Sequence, residues 1–159
     1  MKSPSPQTSP FQRWGIAAAF SAFLIVLAPM ASMGKNSSRS VDNANTRAEI
    51  GRGKYLVESV AMCGQCHTPR NSDGSLDRSR WLQGAPVIWM PSQPDPDWAI
   101  RAPRIGGTSP AGDADMVKLL TTGIWTTGKP LRPPMMPFRM SDSDARAVVA
   151  YLRSVSPSP

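Results

Sequence analysis

Cys63-Gly64-Gln65-Cys66-His67 reads C-x-x-C-H, the spacing at which a haem is attached to a polypeptide through two thioether bonds. Two thiols are needed to add across the two haem vinyl groups. An imidazole close by is needed to ligate the iron. The whole chain has 2 cysteines and 1 histidine, and this pentapeptide holds all three. The spacing places them on one short turn of helix.

Other chemistries fit these residues less well. A disulfide between Cys63 and Cys66 would close a very small loop and stabilise little. A thioredoxin-like redox pair needs a strand before the motif and a βαβ pattern around it, and the residues before Cys63 show no such strand. Structural zinc wants four Cys/His ligands where the chain offers three. Blue copper needs two histidines, and only His67 exists.

With no second histidine, the far side of the iron is left to methionine, water or nothing. Of the 9 methionines, Met1, Met30 and Met33 lie in the N-terminal leader, and Met62 abuts the motif. Met90 has no supporting pattern, and Met116 sits on a helix face where a core role suits it better. The stretch Arg132-Pro133-Pro134-Met135-Met136-Pro137-Phe138-Arg139-Met140 remains. Proline already restricts this chain, so presenting a thioether there costs little ordering entropy. Such a ligand suits haem iron and raises its reduction potential. Met135 and Met136 are both candidates.

The elements that must position these groups are helices. Thr46-Arg47-Ala48-Glu49 is a capping-box signature, and the pattern predicts a helix from about 47 to 60. Gly51 and Gly53 inside it cost about 1 kcal/mol each against alanine, so close approach of another helix is expected there. Residues 68–110 hold seven prolines with Trp81, Trp89 and Trp98 and show no sustained period. A loop that long needs a function, and wrapping a large apolar cofactor is one. Asp113 is read as the cap of a second helix, with Met116, Val117, Leu120 and Ile124 at helical spacing and Gly123 near its end. Ser141-Asp142-Ser143-Asp144 opens a last helix, where Ala145, Val148, Val149, Leu152 and Val155 form an apolar stripe. The expected class is all-α, with three or more helices, long haem-wrapping loops and no convincing strand. This core is thin, and a covalent haem would supply the missing apolar area.

The expected organisation is a leader over 1–34, a flexible Ser/Asn-rich linker over 35–45, a haem domain over 46–155 and a tail over 156–159. Residues 14–34 carry no charge and centre on the apolar run 16–27. This segment reads equally as a signal peptide or as an N-terminal membrane anchor. Either places the haem domain in the periplasm, soluble or tethered to the inner membrane, because haem is attached to C-x-x-C-H after export. The net charge of +7 is partly the leader's: 4 of the 18 basic residues lie in residues 1–40, leaving +3 for 41–159. Two haem propionates would bring that near +1, so nucleic acid is not expected as a partner.

The chain resembles class I monohaem c-type cytochromes. It is most similar to the cytochrome c domains of bacterial membrane-bound alcohol and gluconate dehydrogenase cytochrome subunits. The resemblance runs from about 50 to 154. It rests on Arg52-Gly53-Lys54-Tyr55-Leu56, the haem motif with Thr68-Pro69, Ala102-Pro103-Arg104-Ile105-Gly106-Gly107, residues 135–138, and Ala147-Val148-Val149-Ala150-Tyr151-Leu152. It implies a cytochrome c fold, one covalent haem c, and His/Met ligation by His67 and a methionine. The family usually shows Met-Pro-x-Phe or Met-Pro-Pro-Phe, and here Met136 occupies the first proline position. Counting back three from Phe138 gives Met135, whereas a proline directly after the ligand gives Met136. Met135 is preferred because its flanks then align without an insertion.

The resemblance also implies that the Pro103 carbonyl accepts the His67 N–H. It implies that the first and last helices cross near Gly53, Tyr55 and Tyr151. Trp81, Trp98 and Trp125 are candidates for the haem edge, and Arg70 and Arg104 for the propionates. The implied function is one-electron transfer between redox proteins, a dehydrogenase donor and an oxidase or cytochrome acceptor, with no catalysis by the protein itself. The alternative is a haem peroxidase or gas-binding sensor with a labile sixth ligand.

Overall fold

The computed structural model describes residues 30–156. The leader expected over 1–34 therefore falls largely outside the described residues. The chain divides into two compact units, 1–44 and 45–159. Helix α1, Met30–Tyr55, begins in the first unit. Residues 35–45, expected to be a linker, are thus helical, and the chain passes through Thr46–Glu49 without a helix start. No helix among the described residues is long and apolar enough to cross a membrane.

In the second unit α1 gives way to a π turn, Leu56–Val60. The wider turn accompanies burial of two adjacent side chains, Leu56 and Val57. The chain then turns through Met62, whose φ is 49°, into the short helix α2, Gly64–His67. A 3-10 turn follows at Arg78–Arg80. The only regular pairing among the described residues is a two-residue antiparallel ladder, β1 Ala85–Pro86 with β2 Arg101–Ala102. Ala85 pairs with Ala102 and Pro86 with Arg101.

Helix α3, Asp113–Thr122, is preceded by Gly112 in the cap position, so Asp113 is its first residue rather than its cap. It ends at Gly123, whose φ of 70° only glycine adopts freely. Helix α4, Asp142–Ser154, starts as its sequence requires: the Ser141 hydroxyl accepts from the Asp144 N–H. Ala145, Val148, Val149 and Leu152 are buried along its inner face.

The core joins Leu56 and Val57 to Met116, Leu119 and Leu120 of α3 and to the α4 stripe, with Leu82 and Ile105 from the long loop. Gly53 is where α1 meets α4. A Cβ there would fall on the Ala147 carbonyl, with Tyr151 Cβ at 2.8 Å. Tyr55 lies two residues further along α1. It is 53% exposed, with the Arg52 guanidinium 5.7 Å from its ring centre.

Candidate haem site

Helix α2 is one turn long, and it carries the motif. The His67 N–H donates to the Cys63 carbonyl at 3.0 Å and the Thr68 N–H to the Gly64 carbonyl at 3.1 Å. That turn sets Cys63, Cys66 and His67 on the wall of one cavity of about 980 Å³. Such a volume lies at the upper end of the roughly 300–1,000 Å³ usual for ligand pockets. The other walls are largely apolar and include Val87, Ile105, Met116, Leu119, Leu120, Trp125, Phe138, Val148 and Leu152.

His67 is 6% exposed, and its Nδ1–H donates to the Pro103 carbonyl at 2.7 Å. A carbonyl can only accept, so the proton is on Nδ1 and the free lone pair on Nε2. Burial pushes the imidazole pKa down, opposed by the Pro103 hydrogen bond. The ring is therefore neutral near pH 7, the form that binds metal.

The Pro103 carbonyl is held in place by a relay of backbone bonds. The Gly84 N–H donates to the His67 carbonyl at 2.8 Å, and the Leu82 N–H to Thr68 Oγ1 at 3.0 Å. The Leu82 carbonyl accepts from Ile105 and Gly106, both at 3.0 Å. Gly84 has φ of 84°, and a Cβ there would lie 2.8 Å from the Arg104 nitrogen. The segment after the motif and the segment around Pro103 are thus stitched together, with β1 and β2 closing the stitch.

Both cysteines are free thiols. Burial pushes Cys63 up to about 11, and burial raises Cys66 as well, against the opposing charge of Arg70. A pair of thiols, a neutral imidazole and an apolar cavity form the donor set that a covalent haem requires, and the site fits that group.

Met135 and Met136 both reach the cavity wall. Met135 is half-buried, whereas Met136 is 67% exposed. Met116 lines the cavity as a buried core residue of α3, and Met90 is 81% exposed. Among the described tryptophans, only Trp125 lines the cavity. Trp81 lies behind the motif: its ring occupies the space a Gly64 Cβ would need, under the Arg78 guanidinium at 4.1 Å. Its Nε1–H donates to Tyr151 Oη at 3.2 Å, and Tyr151 donates in turn to Glu58. The Trp98 Nε1–H donates to the Trp89 carbonyl.

Of the two arginines expected at the propionates, Arg70 donates to the Gly74 carbonyl and to Gln65, and neither Arg70 nor Arg104 lines the cavity. The arginines and lysines that do, among the described residues, are Arg101, Lys129 and Arg132. Sequence reasoning missed all three. Arg101 had a signal, since it sits two residues before Pro103.

Residues 50–156 match the cytochrome c family model. The chain belongs to the cytochrome c family and carries one haem c attachment motif. It is 34% identical over 110 residues to a diheme cytochrome c-type protein of Cereibacter sphaeroides, covering 65% of this chain and 34% of that protein. It is 35% identical over 114 residues to the fructose dehydrogenase cytochrome subunit of Gluconobacter japonicus, covering 65% and 21%. It is 29% identical over 129 residues to a quinone-type alcohol dehydrogenase cytochrome c subunit of Gluconobacter oxydans, covering 75% and 26%. The chain thus spans about a third or less of the length of these relatives.

Proposed function

We propose that Cys63 and Cys66 hold one haem c by thioether bonds, that His67 ligates one face of the iron through Nε2, and that Met135 ligates the other. Bound haem supplies a one-electron couple. The chain's residues shape how that couple is used. The Pro103 carbonyl keeps the His67 proton on Nδ1 and strengthens the donor at Nε2. A thioether from Met135 favours the reduced state. Apolar walls keep water out and raise the potential further. With His67 and Met135 both holding it, a bound haem would be shielded from small molecules, and electron transfer would need little rearrangement of the chain.

The observation that carries this reading is the His67–Pro103 hydrogen bond of 2.7 Å on the same cavity as half-buried Met135. Met136 is the alternative ligand, and its 67% exposure weighs against it. Electrons would pass between redox proteins, a dehydrogenase as donor and an oxidase or another cytochrome as acceptor. The dehydrogenase subunits among the relatives support the donor side. The domain works in the periplasm, supported by the export that haem attachment requires and by the uncharged stretch 14–34. Whether that stretch is removed or kept as an anchor decides between a soluble and a tethered carrier.

Titration of the haem-loaded protein tests the reading. It should take up one electron per chain reversibly, and its oxidised form should bind cyanide slowly and weakly. Rapid cyanide or CO binding at the iron would instead favour a peroxidase or gas sensor.

A further inference from the structure

Two loops that both line the cavity are hydrogen-bonded to each other. One contributes Asp95, Asp97 and Ala99, and the other is the segment carrying Met135. Arg132 joins them. Its Nε–H donates to the Asp97 carbonyl at 2.9 Å and its Nη2–H to the Trp98 carbonyl at 3.1 Å. One residue on, the Pro133 carbonyl accepts the Ala99 N–H at 2.6 Å. The Arg132 carbonyl also accepts the Met135 N–H at 3.1 Å. Arg132 therefore grips the neighbouring loop with its side chain while its backbone holds the turn that carries Met135.

The prolines of this segment make it stiff, but stiffness does not fix where it sits. A stiff arm needs an anchor on a neighbouring loop, and two guanidinium donors on adjacent carbonyls supply one. The planar fork of arginine matches two acceptors at once, which a lysine ammonium does not.

We propose that Arg132 is a positioning residue for Met135, a clasp that keeps the thioether directed at the iron and so protects the sixth coordination position from outside ligands. This rests on the reading of Met135 as the ligand. The clasp acts by geometry rather than charge.

The test uses the oxidised, haem-loaded full chain as wild type, Arg132→Ala, Arg132→Lys, Arg139→Ala and Met135→Ala. Arg139 is the control, since its Nη1–H donates only to its neighbour, the Phe138 carbonyl. Equilibrium cyanide binding is one readout. Amide hydrogen exchange at Ala99 is the other, with the Val87 N–H, which donates to the Ile100 carbonyl at 3.0 Å, as its internal reference.

The clasp requires Arg132→Ala and Arg132→Lys both to bind cyanide on the order of tenfold more tightly than wild type, the effect of losing a charge-assisted hydrogen bond. Ala99 exchange should accelerate in both while Val87 exchange holds, and Arg139→Ala should match wild type in both readouts. If Arg132→Lys behaves as wild type, charge rather than geometry is at work and the proposal falls. It also falls if Ala99 exchange is unchanged in Arg132→Ala, or if it accelerates while cyanide affinity stays that of wild type. Met135→Ala separates the two claims. If that variant binds cyanide no better than wild type, Met135 is not the ligand, whatever Ala99 exchange says of the clasp.

Discussion

Replacing Gly53 with alanine sets two effects against each other, and the structure decides between them. Alanine is the better helix former by about 1 kcal/mol. The new Cβ, however, would fall on the Ala147 carbonyl and lie 2.8 Å from Tyr151 Cβ, where ordinary contacts begin at 3.4 Å. The clash is with helix backbone, so relief requires α1 and α4 to separate and loosens Leu56, Val57, Val148 and Leu152 behind them. Overpacking of this kind costs about 1–3 kcal/mol, and more where backbone must move. The expected net loss is about 2 kcal/mol. Gly51 is the matched control. It lies in the same helix, is exposed, and has nothing within 4 Å of its Cβ position. Gly51→Ala should therefore gain roughly 0.5–1 kcal/mol. Urea unfolding of the haem-loaded variants should separate them by about 3 kcal/mol, or on the order of 10 °C in Tm. If Gly53→Ala proves as stable as Gly51→Ala, the helices do not meet at that glycine and the packing account is wrong.

Tyr151→Phe keeps the ring but strands the Trp81 N–H and removes the hydrogen bond to Glu58. A loss of about 1–2 kcal/mol is expected in denaturant unfolding, and an unchanged midpoint would mean water replaces the hydroxyl at no cost. Asp77 provides a pH test. Its carboxylate accepts from the Ser79 hydroxyl and then from Arg80, and is held down to about 2 against an ordinary 3.8. A depressed acid stabilises above its unfolded pKa, and that contribution fades as pH falls from about 4 through 2. Ser79→Ala should raise the Asp77 midpoint followed by carboxyl NMR; a midpoint that stays put would show that Ser79 is not the main cause.

Local signals made much of the fold readable. Ser141 and the stripe from Ala145 to Leu152 obey rules that act within a few residues, and the structure follows them. The glycine stop at Gly123 and the one-turn helix of the haem motif do so as well. What the sequence concealed depends on contacts between distant segments. Nothing local marks the π turn at Leu56–Val60, which goes with burying neighbours on one side of the chain. Arg101, Lys129 and Arg132 reach the cavity only because two long loops pack around it, whereas Arg70 is captured by its own turn. Trp81 is one of three haem-edge candidates by sequence, and its place behind Gly64 depends on Tyr151, 70 positions away. Ser and Asn over 35–45 suggest a linker by composition, but the helix runs through them.

The central claim is that one haem is held between His67 and Met135. The most direct measurement compares oxidised, haem-loaded Met135→Ala with Met136→Ala in the far-red absorption band that marks methionine bound to ferric haem. Met135→Ala should lose the band and bind cyanide readily, while Met136→Ala, altered at a residue 67% exposed, should keep the wild-type spectrum. Loss of the band in Met136→Ala alone, or its survival in both variants, would contradict the account.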